Sequence, residues 1–280
     1  MESFTGRIAV VTGGASGMGR EIVRQLAADG CHVAMCDLSV EEMEETRRLA
    51  LADAPDGTII TTHVCDVANE ASMIAFRDAV VEQHRIDHVD LLFNNAGIAG
   101  GGSVIADPRE TWERTFNVCW GGVYLGCRVF LPMLLAADEA HIINTASVNG
   151  FWACLGPDTE HTAYSASKFA VKGFSEALMI DLRVNAPHIK VSVVMPGHIG
   201  TSIVANTHRM WHGGVDEMNP DTTARYRERW ARMDENAGQL SDEMVRRMVG
   251  DNAQAFQDNA STTADEAAAA ILEGVREERW

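Results

Sequence analysis

Apolar and polar positions along this chain follow two alternating patterns. Short runs in which nearly every residue is apolar or β-branched occupy 7–12, 32–37, 58–64, 90–93, 141–145 and 190–195. Several lack a polar alternation, as strands covered on both faces do. Between them, apolar residues recur at helical intervals in 19–28, 40–53, 69–84, 108–136 and 162–185. Strand and helix in alternation imply parallel strands joined by crossover helices. The expected class is therefore α/β, a doubly wound parallel sheet in the order 3-2-1-4-5-6.

The pattern changes after Thr201. Residues 202–262 carry Met210, Trp211, Met218, Trp230, Met233, Met244 and Met248, five of the chain's 13 methionines. Two readings stand side by side: a helical lid with a flexible apolar face turned toward a bulky substrate, or packing onto the body or a partner subunit. From Thr263 to Val275 the sequence reads as a capped helix. No internal repeat and no low-complexity linker interrupts residues 1–280, so one domain with an insertion is expected.

Composition narrows the function classes. A net charge of −17 argues against nucleic acid or an anionic membrane surface, because a phosphate backbone demands a basic footprint. No uninterrupted apolar run approaches the ~18 residues of a membrane span, and residues 1–7 lack a basic segment followed by an apolar one. The six cysteines (Cys31, Cys36, Cys65, Cys119, Cys127, Cys154) form no C-x-x-C pair and read as reduced core residues of a cytoplasmic protein. The ten histidines show no ligand spacing, so no metal is expected.

Thr12-Gly13-Gly14-Ala15-Ser16-Gly17-Met18-Gly19 follows the first strand and opens the first helix. Glycines at 13, 17 and 19 let the backbone turn tightly and approach a pyrophosphate, whose charge then rests on the helix N-terminus. The spacing is G-x-x-x-G-x-G and departs from G-x-G-x-x-G, so the individual glycine roles differ. Asp37 closes the second strand, where a carboxylate can accept both adenosine ribose hydroxyls and repel a 2′-phosphate. Ser16 and Leu38 offer no cation to counter that repulsion, which favours NAD over NADP. Asp66-Val67 and Asn94-Asn95-Ala96-Gly97 fall at strand ends, where such sheets place their ligand crevice.

Tyr164 and Lys168 stand at i and i+4 in a helical pattern, so both side chains share one face. A free phenol titrates near pH ~10, and a neighbouring ammonium is expected to lower that value.

The ordered set T-G-x-x-x-G-x-G at 12–19, Asp37, Asp66, N-N-A-G at 94–97, Asn117, Ser147, Tyr164-x-x-x-Lys168 and Pro196-Gly197 resembles the short-chain dehydrogenase/reductase family over roughly residues 5–201. The resemblance implies a Rossmann-type fold and an NAD-dependent oxidoreductase acting on a secondary alcohol or ketone. It implies that Tyr164 is the acid/base, that Ser147 holds the substrate oxygen, and that Lys168 binds the nicotinamide ribose and lowers the tyrosine pKa. Asn117 is implied to kink the long fifth helix and anchor a relay water. Asp66 and Val67 are implied as adenine contacts, Asn94, Ala96 and Gly97 as the ribose-side loop, and Pro196, Gly197, Ile199 and Thr201 as the carboxamide-side loop.

Two departures matter. Ser147 and Tyr164 are a few residues farther apart than is usual in the family, and the extra length at 151–161 is expected to bulge over the substrate side. Phe151 and Trp152 are candidate substrate walls there, with packing within the loop the alternative, and His161 reads as a surface-loop histidine within reach of the site. The usual seventh strand is doubtful, which favours a homodimer through the fifth and sixth helices over a tetramer. The lid favours a sizeable hydrophobic substrate. A small polar alcohol, or a non-catalytic NAD-sensing protein, are the alternatives.

Overall fold

In the computed structural model, which describes residues 1–154 and 160–278, β1 (Ile8–Thr12) has every residue buried. Its alternate side chains feed two separate cores. Ile8 and Val10 join Leu92, Phe130 and Ile142 on one side of the sheet. Ala9 and Val11 join Leu26, Phe93, Ile143 and Leu272 on the other. Burial on both faces is why this strand reads as an unbroken apolar run.

The remaining strands are β2 (His32–Asp37), β3 (Ile60–Val64), β4 (Leu91–Asn94), β5 (Ala140–Thr145) and β6 (Ile189–Val194). All pair in parallel, in the order β3-β2-β1-β4-β5-β6, the order expected from the sequence. Crossovers are made by α1 (Gly17–Ala28), α2 (Val40–Asp53), α3 (Glu70–His84), α4 (Arg109–Phe116) continuing through α5 (Gly122–Ala136), and α6 (Thr162–Asn185). Local chemistry starts several of them. Ser39 accepts the Glu42 N–H at the head of α2 and Asn69 accepts that of Ser72 at the head of α3, each satisfying a donor the helix cannot.

The long fifth helix is not uniform. A π-helical turn at Asn117–Gly121 separates α4 from α5. Such a turn admits one extra residue and rotates the faces that follow it. By length and composition the segment Arg109–Ala136 could cross a membrane, yet 56 % of its most apolar window is buried inside the fold, as in a core helix.

The insertion holds α7 (Ile203–His212), α8 (Pro220–Ala231) and α9 (Asp242–Asp258). At its base, two residues on each side pair in parallel, β7 (Ile199–Gly200) with β8 (Thr262–Thr263). No sequence pattern announces this ladder. The insertion has a core of its own, in which Met218, Val245 and Val249 pack with Tyr226 and Trp230. Met233, Met244 and Met248 are exposed, so most of the lid methionines face neither the sheet nor the crevice. Among the described residues the large sheet stops at six strands. The capping box of Thr263 and Glu266 opens α10 (Ala264–Arg276), whose Ala268, Leu272 and Val275 pack into the β1 core beside α1.

Candidate active site

A cleft of about 470 Å³ runs along the C-terminal ends of the strands. At its middle, Ser16 stands at the N-cap of α1 with a hydroxyl that caps none of the helix's first N–H groups. Those donors, with the partial positive charge of the helix end, are left for an anion. Ser16, Gly17, Met18 and Gly19 all line the cleft. Gly17 has φ +54°, and a Cβ added at Gly19 would overlap the Gly13 carbonyl oxygen. Side chains are thus excluded where a phosphate must approach backbone, and the cradle fits a dinucleotide.

Thr12 and Asn94 occupy different places from the rest of the cofactor set. The Thr12 hydroxyl accepts from the N–H groups of Asn95 (3.0 Å) and Ala96 (3.1 Å), tying the end of β1 to the end of β4. It holds the loop and does not line the cleft. The side chain of Asn94 also lies below the cleft floor. Its amide donates to Asn144 Oδ1 at 2.8 Å and to Cys127 Sγ at 3.3 Å. As a contact to the ribose, that side chain is corrected here: it is buried inside the sheet because β4 turns it toward α5. Asn95 is the neighbour that lines the cleft, and its amide donates back to the carbonyls of Thr12 (3.1 Å) and Gly13 (3.3 Å).

One end of the cleft is acidic. Asp37 Oδ1 accepts from Leu38 N at 2.7 Å and Oδ2 from Ala15 N at 3.2 Å. Burial pushes this carboxyl up, and the backbone donors pull it back. Asp66 and Val67 line the same end with Leu38. Asp66 Oδ2 is already taken by the Arg114 guanidinium at 2.8 Å, and Oδ1 by Ala68 N at 3.0 Å.

At the other end Ser147, Tyr164 and Lys168 converge with Ala96, Gly97, Pro196, Gly197, Ile199 and Thr201. The helical spacing stacks Lys168 under Tyr164, with Nζ 5.5 Å from the ring centre. The ammonium donates to the Thr145 carbonyl at the end of β5, 2.8 Å away. Ser147 Oγ accepts from Asn149 N at 3.2 Å and donates to the Pro196 carbonyl at 3.4 Å. Both Ser147 and Lys168 are buried.

Electrostatics at this end depart from the sequence expectation. Burial pushes the Tyr164 phenol well above its ordinary value, and the Ser147 hydroxyl beside it pulls the other way. Burial also lowers Lys168. Desolvation disfavours whichever form carries charge, and in this dry corner it outweighs the attraction of ammonium for phenolate.

Asn117 is a second correction. It is exposed at the start of the π-helical turn and does not line the cleft. The turn's buried face instead presents Cys119, whose thiol donates to the Ile98 carbonyl at 3.3 Å. A Cβ added at Gly97 would stand 3.8 Å from both Cys119 Sγ and Lys168 Nζ. Cys119, not Asn117, is therefore the residue of this turn that lies beside Gly97 and Lys168.

The loop residues singled out from the sequence divide. Phe151 and Trp152 are exposed, and the Trp152 ring N–H donates to the Cys154 carbonyl at 2.6 Å. Residues 155–159 of the expected bulge lie outside the described residues. His161 packs edge-on against Tyr164, with ring centres 5.9 Å apart. From the insertion, Ile203, Asn206, Arg209, Met210 and Phe256 line the cleft. Sequence reasoning singled out only Met210 among these. His198 packs at a tilt against Phe256 and donates to its carbonyl at 2.6 Å, joining the loop after β6 to α9.

Comparison with known proteins agrees with this geometry. The sequence profile of the short chain dehydrogenase family matches residues 7–211. The chain is 37 % identical over 206 residues to SadH of Mycobacterium tuberculosis, described as an oxidoreductase, covering 74 % of this chain and 71 % of that one. It is 31 % identical over 226 residues to levodione reductase of Leifsonia aquatica, covering 79 % and 78 %. Among solved structures, a short-chain dehydrogenase/reductase from Burkholderia phymatum in complex with NAD superposes with a TM-score of 0.79 at 29 % identity, covering 100 % of this chain and 89 % of that one. A metagenomic short-chain oxidoreductase in complex with NADP gives 0.61 at 32 % identity, covering 69 % and 83 %.

Proposed function

Since this chain belongs to the short-chain dehydrogenase family, an oxidoreductase family acting on CH–OH and ketone groups, we propose that it is an NAD-dependent enzyme for a bulky, hydrophobic secondary alcohol or ketone. A bound nicotinamide would supply the hydride acceptor or donor. The observation that carries the reading is a single cleft with Asp37 at one end and Tyr164 at the other, beside the buried Ser147 and Lys168. Asp37 supports NAD, because its carboxylate already occupies the nearby backbone N–H groups and repels a 2′-phosphate.

Tyr164 exchanges the proton with the substrate oxygen, and Ser147 donates a hydrogen bond to that oxygen as charge develops on it. Lys168, anchored on Thr145, holds a positive charge one turn from the phenol. Ile98, Ile199, Ile203, Met210 and Phe256 give the cleft apolar walls, which supports a hydrophobic substrate, and the likeness to a levodione reductase agrees with a ketone. The test is NADH absorbance over a panel of secondary alcohols and ketones graded in bulk, run beside Tyr164→Phe. Turnover in the variant is expected to fall by at least ~10³-fold, the upper part of the range for losing an acid/base group. NADH binding should persist. Near-normal turnover would remove Tyr164 from that role.

A further inference from the structure

A cation reaches the acidic end of the cleft from a part of the chain that local sequence cannot connect to it. Arg209, on α7 of the insertion, pairs with Glu42 in the first turn of α2, with Nη1 2.5 Å from Oε1. Both line the cleft, as do Asp37 and Ser39 just before α2. The guanidinium is aimed there by a second tie one turn earlier on the same helix face. Asn206 Nδ2 donates to Ser16 Oγ at 2.9 Å and to Ser202 Oγ at 3.2 Å, which seats α7 over the head of α1. Glu42 also acts electrostatically on Asp37, so the two carboxylates and the guanidinium form one neighbourhood at the adenosine end.

A planar guanidinium matches a phosphate bidentately, and a free one at this position would welcome a 2′-phosphate. Here one nitrogen of that fork, Nη1, is held by the Glu42 carboxylate. We propose that Glu42 is a cofactor-specificity residue that works by sequestering Arg209, so that the cation brought in by the insertion does not serve NADP. This deepens the NAD reading given above and rests on it.

The test is direct equilibrium binding of NADH and NADPH, followed by nicotinamide fluorescence, at low ionic strength (~50 mM) where charge pairs are least screened. The proteins are wild type, Glu42→Gln, Arg209→Ala and the double variant. All sites are at the rim of the cleft, and thermal melts check folding in each. Glu42→Gln is expected to raise the NADPH-over-NADH affinity ratio roughly tenfold, the size of one new guanidinium–phosphate contact. In the Arg209→Ala background the same change should gain much less. An equal gain in both backgrounds would mean that Glu42 merely repels the phosphate, and sequestration would be wrong. No change in either would also overturn it. A wild-type protein that prefers NADPH would instead break the NAD reading, and the difference between the two backgrounds would still report the Glu42–Arg209 coupling.

Discussion

The floor and the roof of the cleft are built on different principles. The floor is stitched by buried bonds between distant parts of the chain. Thr12 ties β1 to the loop after β4, and an amide chain runs from Asn94 to Asn144 to Ser175 across β4, β5 and α6, at 2.8 and 2.9 Å. The roof is three helices over a small core of their own, resting on the body through contacts that include the Glu42–Arg209 pair, Asn206 on Ser16, the Arg229–Glu160 pair, and Ala99 N donating to the buried Thr207 Oγ1 at 2.9 Å. Buried bonds leave full desolvation penalties when a partner is lost, whereas half-exposed ties can fall back on water. In the function proposed above, the chemistry sits on the unforgiving layer, and the tolerant one tunes a selectivity that Asp37 begins in the floor.

That contrast predicts a gradient of effects. Gly19→Ala should be the most severe, because the new Cβ overlaps backbone at Gly13 and also approaches Asn95 Nδ2 to 2.7 Å. Titration calorimetry with NADH is expected to show more than ~100-fold weaker binding, consistent with about 3 kcal/mol of backbone displacement. Binding within a few-fold of wild type would show that the cradle can relax. Next comes Asn144→Ala, which removes the oxygen acceptor of the buried Asn94 amide, leaving it only the weak Cys127 thiol, and removes the donor to Ser175 Oγ. A loss of about 2–4 kcal/mol in urea unfolding is expected. The smallest effect belongs to the roof. Thr207 is itself buried, but the Ala99 N–H it accepts from is partly exposed and water can replace the bond, so Thr207→Val should cost only about 1 kcal/mol, a fall in Tm of ~2–4 °C. If it costs as much as Asn144→Ala, the distinction between the two layers fails.

The same division decides what could be read in advance. The floor was legible where residues act through their own local spacing. Apolar runs located all six strands, although β3 begins at Ile60 and β4 ends at Asn94, two residues later and one residue later than the runs suggest. Tyr164 and Lys168 stack because i and i+4 share a helix face, and that periodicity is visible in the letters. The relay role was carried to Asn117 by the family resemblance, and the π-helical turn that begins there leaves Asn117 exposed and turns Cys119 inward. A buried Cys119 beside an exposed Asn117 was the available clue, in that the thiol continues the apolar face of Val118 and Val123. The phenol's shift was misjudged for another reason. Charge spacing is written in sequence, while the dryness that overrides it is a property of the assembled cleft. Arg209 was out of reach for the same cause, lying 167 positions from Glu42.

The two-rung ladder at the base of the insertion has one more consequence. Because Ile199 sits opposite Thr262 and Gly200 opposite Thr263, the points where the chain departs and returns are next-door neighbours. The chain therefore leaves the body and returns to it at one place, so a change of length between these two points would leave the register of the six large-sheet strands untouched while altering the part of the cleft wall that Ile203, Met210 and Phe256 supply.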